Sequence, residues 1–229
     1  DLHRLIRRQR QMCIRDSNKL FIAISNKFRS FKEELKGQIG LKGKVVILYV
    51  GRLTKEKGIN FLLEAYMKLK RKISNIALLI VGYGELLDVL RKEKDDDIVL
   101  TGAVIKLKQL IKYYSMADIF VFPTLGDVWG FVINEAMACG LPVISTYASQ
   151  AAVEMIRPGI NGYIVKEANS EELYHTLKKL VLNEKLMIRM SHNSRSILRR
   201  CFSIDSMVSG FIQAISYALA KQRKHSLNR

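Results

Sequence analysis

The sequence predicts an α/β fold, a parallel sheet with helices on both faces. Three observations predict it. Short aliphatic runs alternate with amphipathic stretches at the spacing of repeated strand–helix units. The runs are continuously apolar, as in strands covered on both sides, rather than alternating. Glycine or proline follows several of them, where a chain leaving a sheet must turn.

The first strand is Val45–Val50 (VVILYV), followed by Gly51-Arg52 and a helical pattern over Gly58–Lys72. Ile76–Val81 (IALLIV) is the second strand and runs into Gly82-Tyr83-Gly84. Glu85–Glu93 reads as a helix, Ile98–Thr101 as a short strand and Leu107–Ala117 as a helix. Ile119–Phe122 is a strand stopped by Pro123. Trp129–Cys139 is a helix closed by Gly140, the residue type that most easily takes the left-handed turn after a helix. Pro142–Ser145 is a strand, Ala152–Ile156 a helical turn and Gly162–Val165 a strand; Ser170–Leu182 and Glu184–Ser196 are helices. Over 207–220, apolar residues at 207, 208, 211, 212, 215 and 219 make a helical stripe. Residues 18–229 therefore form one domain, of which 203–229 is a terminal helix and basic tail.

The 229 residues are 48% apolar and 8% aromatic, enough for a sizeable core, which excludes a mainly disordered chain. Lys and Arg number 38 against 21 Asp and Glu, a net charge of +17. That surplus favours phosphate-bearing partners without choosing among nucleotides, nucleic acid and anionic lipid. Cys13, Cys139 and Cys201 form no CxxC or Cys/His metal spacing, and their odd number reads as reduced thiols in an intracellular setting. No apolar run reaches about 18 residues, so no transmembrane helix is expected.

Residues 1–17 stand apart. They begin with Asp rather than Met, and five of them are Arg. Gln11–Ser17 (QMCIRDS) resembles the translation of a transposase adapter used in preparing DNA libraries. The expectation is a non-native or disordered segment; the rival is an Arg-rich amphipathic targeting peptide.

In open parallel sheets, ligands bind beyond the carboxyl ends of the strands. Four loops there could carry chemistry. In Gly51–Gly58 (GRLTKEKG), Arg52 and Lys57 bring two cations suited to a diphosphate, although a solvated charged loop would look the same. Gly82-Tyr83-Gly84 lacks the third glycine of a dinucleotide fingerprint and reads equally as a tight turn. In Asp127–Gly140 (DVWGFVINEAMACG), Asp127 stands where a carboxylate can cap the helix, and Gly130 and Phe131 present N–H groups at its start, an anion site. Glu135 lies among apolar neighbours and needs a partner, either a ribose diol or an internal cation. The last loop, Ser149–Glu154, has a serine placed to cap a further helix.

Taken in this order, from about Lys44 to Met207, these loops resemble the donor-binding half of the GT-B glycosyltransferases, and most of all the retaining group 1 enzymes (family 4). The most specific pieces are Asp127–Gly140 running into LPVIST and the upstream VGRLTKEKG. The resemblance implies a Rossmann-like domain, the carboxy-terminal half of a GT-B fold. It implies that Arg52, Lys57 and Asp127 are catalytic, the two cations holding the donor diphosphate and stabilising the leaving nucleotide. Glu135 is the second acid of the family's E-x7-E pair and would bind the donor ribose. The first acid, which contacts the transferred sugar, is Asp127 here, one methylene shorter. Gly51, Gly82, Gly130, Phe131 and Val132 would line the nucleotide-sugar, and Val104 would border the base. Glu154 matches a further family acid, and Gln150 stands where a glycine is usual.

The resemblance further implies a nucleotide diphosphate-sugar as donor substrate, with UDP the expected nucleotide, and no metal or covalent cofactor. The acceptor would be a glycan or a lipid-linked glycan, the process cell-surface polysaccharide assembly. The location would be the cytoplasm, with peripheral contact at the inner face of the membrane through Lys221, Arg223 and Lys224. The acceptor-binding amino-terminal domain and its active-site histidine have no counterpart, and His175 and His192 lie on polar helix faces. A truncated product that binds nucleotide weakly and transfers no sugar is the expectation. Competing readings are a GT-B sugar-nucleotide epimerase-like enzyme and a basic nucleic-acid or membrane-surface module. Against a nucleic-acid partner, the aromatics are not interleaved with the basic residues.

Overall fold

A computed structural model describes residues 17–92, 95–202, 206 and 208–217. The expectations for 1–16, for Glu93, for Met207 and Leu219 and for the basic tail lie outside the described residues. Helices α1 (Ser17–Arg29) and α2 (Lys32–Gly37) come first. Then follow β1 (Val45–Val50), a 3-10 turn (Lys55–Lys57), α3 (Ile59–Lys70), β2 (Ile76–Val81), α4 (Leu87–Leu90) and β3 (Ile98–Leu100). The second half runs α5 (Leu107–Met116), β4 (Ile119–Phe122), α6 (Phe131–Ala138), β5 (Val143–Thr146), α7 (Gln150–Met155), β6 (Gly162–Val165), α8 (Ser170–Val181) and α9 (Glu184–Cys201).

The six strands form one sheet in the order β3-β2-β1-β4-β5-β6, every pair parallel. The expected α/β architecture is therefore what the chain adopts. β1, β2, β4 and β5 are almost wholly buried, which is why their sequences show no alternation. Strand order reverses between β1 and β4. Right-handed crossovers then put α3 on one face and α5 and α6 on the other. α8 returns to pack against α3, while α9 packs on α6.

Some boundaries differ from the sequence reading. The helix expected over Glu85–Glu93 is the single turn of α4, because no side chain caps its start and Leu90 is its one buried residue. Residues 18–37, to which the sequence assigns no element, form α1 and α2. α1 buries Phe21 and Ser25, partly buries Ile24 and Phe28, and lies across α5 and α6. Residues 208–217 are helical and exposed, with Phe211, Ile212, Ile215 and Tyr217 each more than half accessible.

Two aspartates fasten the amino ends of the strands. Asp118, just before β4, accepts from the Val46 amide at 2.8 Å and from the Lys36 ammonium at 3.0 Å, and is paired with Lys32. Burial raises the Asp118 pKa, but the charges of Lys32 and Lys36 and the hydrogen bonds from Lys32 and Val46 outweigh it and hold the carboxyl below the usual range. Asp97, before β3, is paired with Lys44 and Lys70 and is also held low. These clusters belong to the fold; the opposite edge of the sheet carries the loops singled out above.

Candidate active site

The carboxyl edge brings two loops into direct contact. The Leu125 amide donates to the Glu56 carbonyl at 2.8 Å, which ties the loop after β4 to the loop after β1. Gly58 makes this approach possible. Its φ is +65°, and a Cβ there would stand 1.9 Å from the Pro123 carbonyl oxygen. Gly82 has a related role at the exit of β2, where a Cβ would lie 1.8 Å from the Gly51 carbonyl oxygen. The Gly-Tyr-Gly pattern thus has a packing reason. Gly51 is bonded through its amide to Val81, and Gly82 to the Gly102 carbonyl, both at 3.0 Å. Val104, two residues on, is half-buried against the core.

Lys57 is the central cation. Its ammonium donates to Asp127 Oδ2 at 2.8 Å and to the Gly126 carbonyl at 2.7 Å, and stands 5.8 Å from the centre of the Phe122 ring. The residue is only 8% exposed, so its charge is balanced by named partners rather than by bulk water. Arg52 differs. Its side chain is 46% exposed and stands 3.9 Å from Glu56, while the Tyr49 hydroxyl, buried beneath, donates to the Arg52 carbonyl at 2.7 Å. The two cations share one loop, but only Lys57 is built into the floor.

Asp127 does not cap α6. Gly130 occupies the N-cap position with φ +95°, no side chain caps the helix, and Asp127 Oδ1 accepts instead from the Trp129 amide at 3.2 Å. The physical reason is distance along the chain: Asp127 sits three residues before the cap, so its short side chain closes a local turn. A Cβ at Gly130 would come within 2.6 Å of Ser149 Oγ. Ser149 stands at the N-cap of α7, yet its hydroxyl donates to the Trp129 carbonyl at 2.8 Å and makes no cap bond, so the expected capping role is corrected. At the start of α6, Phe131 is half exposed and Val132 buried.

Glu135, on the second turn of α6, accepts from the Tyr114 hydroxyl at 2.8 Å. Tyr114 is fully buried, edge-on to Phe21 and tilted against Phe120, with ring centres 6.0 and 5.7 Å away. A tyrosine held in the core by ring contacts therefore orients the carboxylate, where the sequence pointed to a ribose or a cation. Tyr114 went unread because its position in α5 fits an apolar core stripe. Trp129 and Asn134 were also missed: the indole N–H donates to Asn134 Oδ1 at 3.0 Å, and the pair is visible in sequence only as a lone tryptophan five residues before an asparagine. Glu154 is exposed and accepts from Gln150 at 2.8 Å, a local pair on α7. His175 is exposed beside Glu171, away from these loops.

The family model for glycosyl transferases group 1 matches residues 31–197. Among curated relatives, the capsular polysaccharide biosynthesis glycosyltransferase CapM of Staphylococcus aureus is 30% identical over 185 residues, covering 76% of this chain and 48% of CapM. The α-D-kanosaminyltransferase of Streptomyces kanamyceticus is 24% identical, with 88% of this chain and 54% of that protein covered. The chain spans about half the length of the curated relatives it matches. Two solved structures share the fold. One is the C-terminal domain of a group 1 glycosyl transferase (LpcC) from Francisella tularensis, with a TM-score of 0.69, 24% identity, and 76% of this chain and 93% of that one covered. The other is Anabaena Alr3699/HepE in complex with UDP and glucose, with a TM-score of 0.68, 20% identity, and coverage of 82% and 52%. The family match spans the strands and every loop of the crevice, and the chain belongs to the group 1 glycosyl transferases.

Proposed function

We propose that the crevice at the carboxyl edge binds a nucleotide diphosphate-sugar, with a UDP-sugar the leading candidate. The observation that carries this reading is the meeting of Lys57, Asp127 and the start of α6 at one point of the switch between β1 and β4. A helix start adds partial positive charge and free-pointing amides to the ammonium, a combination suited to a diphosphate. In this reading Lys57 and Arg52 hold the diphosphate, and Arg52 keeps the freedom to swing onto it because it is exposed and only loosely paired. Gly130, Phe131 and Val132 offer backbone to the phosphates and sugar, and Asp127 meets the sugar. Glu135, oriented by Tyr114, takes the ribose diol. Gly51, Gly82 and Val104 shape the wall for the base.

The reaction proposed for the whole protein breaks the bond between the sugar's anomeric carbon and the diphosphate. A new bond then forms from that carbon to an acceptor hydroxyl, which gives up its proton, and the anomeric configuration is kept. Fixed cations beside the diphosphate stabilise the charge that develops on it, the chief catalytic contribution available here. The reading invokes no metal and no covalent cofactor. The acceptor, a glycan or lipid-linked glycan in surface polysaccharide assembly, would bind on the part of the protein that the relatives have beyond this chain's span. CapM's name supports that process. Peripheral membrane contact through the basic tail belongs to the same proposal, and no described helix is long and apolar enough to cross a membrane.

The test is a calorimetric titration of the 229-residue chain with UDP, GDP and ADP, beside Arg52→Ala and Glu135→Ala. Selective binding of one nucleotide, weakened about tenfold or more in both folded variants, is the expected result. Equal binding by wild type and both variants would sink the assignment. The chain alone is expected to transfer no sugar, and measurable turnover would overturn that part.

A further inference from the structure

The donor reading leaves Trp129 and Asn134 without a task, yet hydrogen bonds join both to the charged centre of the crevice. Asn134 Oδ1 accepts from the Trp129 indole at 3.0 Å. The Trp129 amide donates to Asp127 Oδ1 at 3.2 Å, and Asp127 Oδ2 accepts from Lys57 at 2.8 Å. One continuous line of contacts thus runs from the first turn of α6 to the buried ammonium. An indole N–H is a donor only, so the amide oxygen of Asn134, and not its nitrogen, must face it.

The loop after β4 is held on this side by its backbone: the Asp127 amide donates to the Ala148 carbonyl at 3.0 Å, and the Gly126 carbonyl accepts from Lys57 at 2.7 Å. Val128 is 96% exposed and Leu125 is exposed, so neither holds the backbone by burial. Trp129 is a further fixed point. Its carbonyl accepts from Ser149 Oγ and from the Ala151 amide, both at 2.8 Å. Gly130 then turns the chain through φ +95°, which lets the indole of residue 129 reach residue 134. The aspartate at 127 has a short side chain with little reach of its own. Where its carboxylate sits is therefore decided by the backbone of this loop.

We infer that Asn134 is a positioning residue: by bracketing Trp129 it fixes the Asp127 carboxylate beside Lys57 and so sets how tightly the crevice grips a sugar nucleotide. This rests on the donor reading. The bracket ties the nucleotide-facing helix to the loop that carries the sugar-facing acid, so the two ends of the donor are gripped by one rigid unit. Preorganisation of this kind acts on affinity without any contact between Asn134 and the ligand.

The chain has one tryptophan, so 15N-labelled protein gives a single indole N–H signal. In the wild-type chain that proton is expected to exchange slowly with water. Asn134→Ala should speed the exchange and weaken the best-bound of UDP, GDP and ADP about tenfold. Asn134→Asp keeps an acceptor in place and should restore slow exchange. Trp129→Phe keeps a ring but loses the donor, and should match Asn134→Ala in affinity. The double variant Asp127→Asn/Asn134→Ala should bind no more weakly than Asp127→Asn alone, since Asn134 acts through Asp127. Slow exchange persisting in Asn134→Ala, unchanged affinity in Trp129→Phe, or additive losses in the double variant would each overturn the inference. No binding of any nucleotide by the wild type, with its indole proton still protected, overturns the donor reading and the gripping role, and leaves the bracket as a packing feature.

Discussion

Asp118 joins three segments that are far apart in sequence: the start of β4, where it stands, α2, through Lys32 and Lys36, and the start of β1, through the Val46 amide. Its folded-state pKa is depressed below the unfolded value of about 3.9. The stability it contributes is therefore fully present above the unfolded pKa and is lost as pH falls through the folded pKa. Asp118→Asn should lower stability by about 2 kcal/mol at pH 7, because the 4%-exposed Lys36 ammonium keeps Glu33 and the Lys44 carbonyl but loses a charged partner. The difference between wild type and variant should shrink steadily below about pH 4, since the unfolded chain takes up a proton there that the folded carboxyl accepts only at lower pH. Urea melts at pH 7 and pH 3 measure both; a constant gap across that range would contradict the assignment. Cys139 shows the opposite balance: fully buried, its thiol is pushed well above the usual range by burial, so it should resist alkylation in the folded chain while exposed Cys201 reacts. Mass spectrometry after brief treatment with iodoacetamide separates the two.

At the scale of single elements, α5 and α6 act together. Tyr114 belongs to the core of α5 but ends on a carboxylate of α6, so Tyr114→Phe keeps the edge and tilted ring contacts with Phe21 and Phe120 and removes only the hydroxyl. Its cost in stability should be about 1 kcal/mol, read from a denaturant melt, and nucleotide affinity should fall more steeply than stability if Glu135 meets the ribose. The strands and most helices were legible in sequence because burial on both faces imposes continuous apolar runs, as in VVILYV and IALLIV. Lys57 was legible as a cation on a strand exit. Its partnership with Asp127 was not, since the two are 70 residues apart and meet only because β1 and β4 are neighbours. Tyr114, Trp129 and Asn134 escaped for a different reason: each carries its polar group in a sequence context dominated by packing. α1 carries the helical spacing of Phe21, Ile24 and Phe28, so its apolar face is legible in the sequence as well.

At the scale of the whole molecule, the helix over 208–217 presents Phe211, Ile212 and Ile215 to solvent, a contiguous apolar stripe on a chain that spans about half of its curated relatives. Such a surface favours association. Sedimentation should show oligomers growing with concentration, and Phe211→Ser with Ile215→Ser should shift the distribution to monomer without moving the melting temperature, because neither side chain is buried. A monomer at every concentration in the unaltered chain would refute this.

The reversal of strand order has one more consequence. β1 pairs with β2 along six residues but with β4 through only two, Ile47 to Ile119 and Leu48 to Phe120. This register is the shortest of any strand pair in the sheet, and α1 packs against both α5 and α6 beside it. The sheet thus divides along this seam into two leaves, β1 to β3 and β4 to β6, which α1 on α5 and α6 and α8 on α3 hold together. Lys57 belongs to one leaf and Asp127 to the other, so whatever fills the crevice clasps the leaves together. Cut in the loop at 102–106, the two pieces would have little backbone pairing to rejoin them, and their reassembly would become a direct gauge of the clasp.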